Sequence, residues 1–188
     1  MKAVIQICLT IVFAFGFFGV SLSGQEGGAA AGPNQYIGTK KCKMCHNSEA
    51  QGKQFPIWEA SAHAKAYQVL GTEEAKPIAA KAGVQGNPQE SDQCLKCHVT
   101  AFGVDAALIQ ASFVREEGVQ CEACHGPGSN YYKKSVMENK ELAVKSGLII
   151  PDETTCKQCH NEKSPTFKGF DYKVYFAKIA HPVPQKTK

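Results

Sequence analysis

Eight cysteines of this 188-residue chain fall in four pairs. In each, two residues separate the cysteines and a histidine follows directly: Cys42-Lys43-Met44-Cys45-His46, Cys94-Leu95-Lys96-Cys97-His98, Cys121-Glu122-Ala123-Cys124-His125 and Cys156-Lys157-Gln158-Cys159-His160. Cysteines three apart share one helical turn and can form thioethers to the two vinyl groups on one porphyrin edge. The next residue then aims its imidazole at the iron. The pattern predicts four covalently attached haem c groups, held by Cys42, Cys45, Cys94, Cys97, Cys121, Cys124, Cys156 and Cys159, with His46, His98, His125 and His160 as proximal ligands. A disulfide framework accounts for eight cysteines but not for a histidine after every pair. Paired zinc sites usually lie closer together and leave the same histidines unexplained. A thioredoxin-like redox centre needs one such pair, not four.

The second axial ligand decides whether a haem is a wire or a reaction site. The chain has six histidines, so only His63 and His181 remain. Both are expected to be distal ligands. Of the three methionines, Met1 leaves with the leader and Met44 is trapped between two thioether cysteines. Met137 is the remaining candidate, with core packing as its competing role. These three side chains serve at most three irons. At least one iron is then open, or held by another side chain such as lysine, or ligated by a neighbouring protomer. No residue can be assigned as a catalytic proton donor.

The elements that position these groups read as helices. Phe55 to Leu70 is alanine-rich and predicts one helix, with Trp58, Ala62, Ala66 and Val69 as an apolar stripe and His63 beside it. Ala75 to Ala82 predicts a second helix closed by Gly83, with Pro77 in its first turn. Gln85 to Glu90 reads as a loop. Ser129 is expected to cap a helix over Asn130 to Lys145 that ends at Gly147. Asp152 is expected to cap a short helix running into Cys156, and Asp171 a helix to Ala180. No stretch has a sustained strand pattern. Large apolar residues are sparse between these pieces, so the haems themselves must supply the core. The fold class is mostly α, with short helices and loops wrapped around four haems. Macrocycles that dense cannot be far apart, and electrons should pass between them.

Residues 1–23 read as a signal peptide: Lys2 supplies the positive charge, Ile5 to Val20 the apolar run and Ser21-Leu22-Ser23 the cleavage pattern. An uncleaved anchor is the competing reading. Cys8 lies within the apolar run and would leave with the leader. Residues 24–35 are small and polar and read as a flexible linker, leaving 36–188 as the haem domain. The expected location is the periplasm, or another exported compartment. The net charge of +4, with a single arginine, Arg115, is too mild for a nucleic-acid partner.

The extended third motif, Gly118-Val119-Gln120-Cys121-Glu122-Ala123-Cys124-His125-Gly126-Pro127-Gly128-Ser129, resembles that of the tetrahaem cytochrome c-554 family, which is related to the haem core of multihaem hydroxylamine oxidoreductases. The segment Trp58 to Tyr67 is similar to the family's distal-histidine helix, and Ser164 to Phe167 and Ile179 to Pro182 fit as well. The resemblance implies a mostly helical fold on closely packed haem pairs, some stacked and some edge-on. It implies a periplasmic electron carrier with one open haem, which carried over is that of Cys94, Cys97 and His98. This chain departs by offering two distal histidines where the family pattern has three, which raises Met137 as a substitute.

Three functions follow in order. The first is electron transfer between redox partner proteins, with a membrane-associated donor possible and Lys40, Lys41, Lys43, Lys133 and Lys134 as a docking face for an acidic partner. The second is reduction or oxidation of a small nitrogen-oxide ligand at an open haem. The third is an oligomer, a haem filament with a ligand shared between chains.

Overall fold

Short helices dominate because the sequence supplies stop signals every few residues. The computed structural model describes residues 32–183. They contain α1 (Thr39–His46), α2 (Gln54–Glu59), α3 (Ala66–Val69), α4 (Ala75–Lys81), α5 (Asp92–His98), α6 (Cys121–His125), α7 (Lys134–Met137), α8 (Lys140–Lys145), α9 (Glu153–Lys157) and α10 (Tyr172–Ile179). Single 3₁₀ turns lie between some of them. The one β feature among the described residues is an isolated parallel bridge from Tyr36 to Ile109. No described helix is long and apolar enough to cross a membrane.

Several expected elements are present. α4 holds Pro77 in its first turn and ends before Gly83, at φ +79°. Asp152 caps α9 and Asp171 caps α10 by accepting from the backbone N–H three residues on. Two expectations fail. The helix over 55–70 is broken into α2 and α3. The Ser61 hydroxyl donates to the Trp58 carbonyl at 2.6 Å, the Trp58 indole N–H donates to Val119 at 2.7 Å, and the His63 carbonyl accepts from Val119 N–H at 3.0 Å. Tertiary bonds to the segment leading into the third motif override alanine's helix propensity, and the expected stripe does not form, since Val69 is 47% exposed. The helix over 130–145 is likewise two, because Asn139 caps α8 by accepting from Leu142 N–H at 3.0 Å. Ser129 caps neither helix; its hydroxyl accepts from Gln35 N–H at 2.8 Å.

The expected leader at 1–23 lies outside the described residues. Of the expected linker, 32–35 is described, and Asn34 and Gln35 are already tied down. Asn34 bonds Ser146 O and accepts from Asn130 N, and Gln35 O accepts from Ser129 N. The buried apolar residues are few. Leu70, Leu95 and Val99 form one cluster, with Tyr67, Cys94 and Phe102 against it.

Candidate functional site

Three of the four motifs close a helix. α1, α5 and α6 end on His46, His98 and His125, so each cysteine pair sits on the last turn. The fourth begins inside α9 at Cys156 and finishes in the turn beyond it. Both Cys159 N–H and His160 N–H donate back to the Cys156 carbonyl, at 3.2 and 3.0 Å, so the one-turn spacing is kept. All eight thiols are free. Among the described residues, no three His, Cys, Asp or Glu side chains converge as a metal-ion cage would.

The motifs instead meet in pairs through their thiols. Cys42 and Cys121 share a hydrogen bond that pushes the Cys42 thiol up and draws that of Cys121 down. Burial, then the neighbouring Cys97, pushes Cys159 up to about 12. Burial, then Cys156 and Cys121, pushes Cys124 up to about 11. These neighbouring thiols string the motifs in the order second, fourth, third, first.

The imidazoles are arranged for metal binding. His98 Nδ1 bonds the Ala66 carbonyl at 2.6 Å, and His125 Nδ1 bonds that of Ile149 at 3.0 Å. Each carbonyl fixes the tautomer with the proton on Nδ1 and leaves the Nε2 lone pair free, as a ligating imidazole requires. Burial lowers the pKa of His63, His125, His160 and His181, with His160 adding to it at His63, and His125 and His46 at His181. These rings are neutral near pH 7, the form that binds iron. The Nδ1 atoms of His46 and His181 are buried without a hydrogen-bond partner.

The rings also pair. His63 faces His160 with centroids 6.0 Å apart, and His181 faces His125 at 5.9 Å. His160 is flanked by Phe170, stacked at 5.0 Å, and Tyr175 at 5.6 Å. Paired neutral imidazoles, free thiols on helix ends and a sparse apolar core all fit haem. Met137 lies half-buried at the end of α7, which packs on α8.

A cavity of about 560 Å³ is lined by Thr100, Phe102, Val104, Phe113 and Arg115 among others. A smaller one of about 220 Å³ touches Cys159, His160, Phe167, Lys168 and Tyr175.

Sequence reasoning missed Glu122, the residue between the third pair's cysteines. It is 3% exposed and carries no cation partner. Its carboxylate accepts from Ile37 N–H at 2.9 and 3.1 Å, Gly38 N–H at 2.8 Å and Gly128 N–H at 2.7 Å. It thereby ties the chain entering α1 to the third motif. Gly38, at φ +79°, passes so close to Ser112 that a Cβ would lie 2.7 Å from its carbonyl oxygen. The signal was present: an acid inside a motif whose neighbours are glycines offering backbone N–H groups. Tyr131 completes the anchor, its hydroxyl donating to the carbonyls of Gly126 at 2.6 Å and His125 at 3.0 Å.

Residues 41–126 match the family described as "Cytochrome c554 and c-prime". The chain is 34% identical to cytochrome c-554 of Nitrosomonas europaea over 161 residues, which cover 77% of this chain and 66% of that protein. It therefore spans just under two thirds of the relative's length. No solved structure matches.

Proposed function

Because the chain belongs to the cytochrome c-554 family, we propose that it is an exported electron carrier with four haem c groups, passing electrons between redox partner proteins. Membership itself implies covalently bound haem c; the count of four rests on the four motifs. Cys42, Cys45, Cys94, Cys97, Cys121, Cys124, Cys156 and Cys159 would hold the groups, and His46, His98, His125 and His160 would ligate them from the proximal side. When bound, each haem supplies a one-electron iron couple.

One observation carries this reading. The thiols of the second and fourth, fourth and third, and third and first motifs interact with one another. Four attachment points strung in one order suit a relay better than four isolated sites. His63 and His181, facing His160 and His125, would close those two irons to exchange. Fully ligated iron changes charge with little rearrangement, as a carrier requires. The Phe170 and Tyr175 rings pack against His160.

A second reading is chemistry on a small nitrogen-oxide ligand at the haem of the second motif. It is favoured by His98, whose ring is held by Ala66 O with no second histidine in ring contact.

The deciding experiment is a pyridine haemochrome assay on the mature protein, followed by a potentiometric titration. About four haems per chain, titrating over a spread of potentials and exchanging electrons rapidly with a redox partner, support the carrier. Fewer haems would overturn the count. Turnover of nitric oxide, nitrite or hydroxylamine fast enough to dominate would favour the second reading.

A further inference from the structure

All six histidines of the chain lie within the described residues, so their pairing can be accounted for completely. His160 has His63 and His125 has His181, each ring centroid within about 6 Å of its partner's. His98 and His46 are left, and no histidine remains for either. His181 is the one alternative for His46, since burial, then His125 and only later His46, act on its pKa. The ring contact at 5.9 Å is with His125, which assigns it there.

The other side chains with a lone pair are poorly placed for His46. Met44 and the lysines Lys40, Lys41 and Lys43 lie on α1 itself, the helix that carries His46. Met44 is 77% exposed, and Lys43 Nζ sits over the Phe55 ring at 4.5 Å. Lys53 is paired with Glu49. Met137 belongs to α7, which packs on α8. The chain leaving α8 reaches Ile149, whose carbonyl holds His125 of the third motif and not His46.

We infer that the haem carried by Cys42, Cys45 and His46 has no protein ligand opposite His46 and is a second binding site for neutral diatomic ligands such as carbon monoxide, beside the one at His98. This rests on the four-haem reading, so the test separates the two. Two haems with exchangeable positions sit at opposite ends of the order second, fourth, third, first. The two irons with facing histidines lie between them. The relay would then take up and release small ligands at both ends while its middle stays closed.

The haemochrome assay comes first: a count other than four strikes the reading beneath and not this inference. The reduced holoprotein is then titrated with carbon monoxide. Two equivalents per chain are expected; one or none overturns the inference. Assignment uses Cys45→Ser and Cys97→Ser, each of which leaves one vinyl group unsaturated on a single haem and shifts that haem's bands to the red. Each should move one of the two carbonyl components, whereas Cys124→Ser and Cys159→Ser should move neither. A carbonyl component that moves in Cys124→Ser instead of Cys45→Ser would give the position to the His125 iron and overturn the assignment. One equivalent in the parent protein that rises to two in Met137→Ala would also overturn it, naming Met137 as the sixth ligand. If a serine variant fails to mature, the count on the unaltered holoprotein still decides.

Discussion

Around the third motif, buried polar side chains hold the backbone in place. Gln120 and Glu122 are 2% and 3% exposed. The Thr100 hydroxyl accepts from Gln120 N–H at 2.7 Å, and the Gln120 amide donates to Val114 O at 2.7 Å. The Ser112 hydroxyl donates to Ile37 O at 2.7 Å. The region after Cys156 is built the other way. On α10, Val174 is 52% exposed, Phe176 41% and Tyr175 39%, and aromatic rings gather around His160 with few buried hydrogen bonds. A lattice of polar groups, satisfied apart from the buried Gln120 Oε1, positions the third motif before any cofactor arrives, because each buried donor left unmade would be costly. The fourth motif leans on apolar surface that needs a hydrophobic body to cover it. The difference teaches that one chain can preform some of its attachment sites and leave others to be completed by what they attach.

The largest expected effect follows directly. In a Cys156→Ala/Cys159→Ala double variant, amide exchange over 153–183 should speed up by at least about a hundredfold, since that segment would lose its main apolar contact. Exchange over 118–131 should change little. Hydrogen–deuterium exchange with peptide resolution reads both at once. Equal loss of protection in the two segments would break the comparison.

Next in size is Glu122→Gln. The four bonds from Ile37, Gly38 and Gly128 reach both carboxylate oxygens, so an amide nitrogen there must face a donor. The expected cost is about 1–3 kcal/mol, measured by denaturant unfolding of the holoprotein. Val174→Ser on exposed α10 should stay within about 0.5 kcal/mol. A neutral Glu122→Gln would mean that the lattice does not carry the third motif.

The same residue gives a pH signature. Burial raises the Glu122 pKa above 4.5, although the three backbone N–H groups pull it down. Between the ordinary glutamate range and the raised value, the folded chain then holds a proton that the unfolded chain has released. Stability from this group falls as pH rises through that window. Unfolding free energy measured across acid pH should show that slope in the parent protein, and Glu122→Gln should flatten it. An unchanged slope in the variant would assign it to other groups.

What was legible in the sequence follows the same divide. Helix ends marked by local chemistry could be read: Asp152 and Asp171 as caps, and Gly83 as a stop. Each is decided within a few residues. The break between α2 and α3 could not be read, because it is set by Val119, which bonds Trp58 and His63 from far along the chain. Ser129 was misread for the same reason, its hydroxyl taken by Gln35. At the site, the four motifs state their chemistry outright. The pairing of His63 with His160 and of His181 with His125 needed the three-dimensional arrangement, since sequence separation says nothing about which rings meet. At Glu122 the flanking glycines are the signal the sequence offers, because the two variable positions of the motif carry no expected role.

The smallest expected effects lie on α9 and ask how much of the fourth motif stands without its cofactor. Asp152 Oδ1 accepts from Thr155 N–H at 3.1 Å, and the Thr155 hydroxyl accepts from Asp152 N–H at 3.4 Å, closing a reciprocal cap. Lys157 and Glu153 form an ion pair at 2.7 Å with both side chains about half exposed, at 55% and 48%. Water screens such a pair and ordering two long side chains offsets it, so Lys157→Ala should cost about 0.5 kcal/mol or less. The cap satisfies a backbone donor that the helix cannot, and Asp152→Ala should cost about 1 kcal/mol. Both are measured by denaturant unfolding, once in the holoprotein and once in the Cys156→Ala/Cys159→Ala background. If the arm is ordered by its haem, the cost of Asp152→Ala should shrink in that background, because a segment already released has little left to lose. An undiminished cost there would show α9 folded on its own cap, and the fourth motif would join the third as preformed.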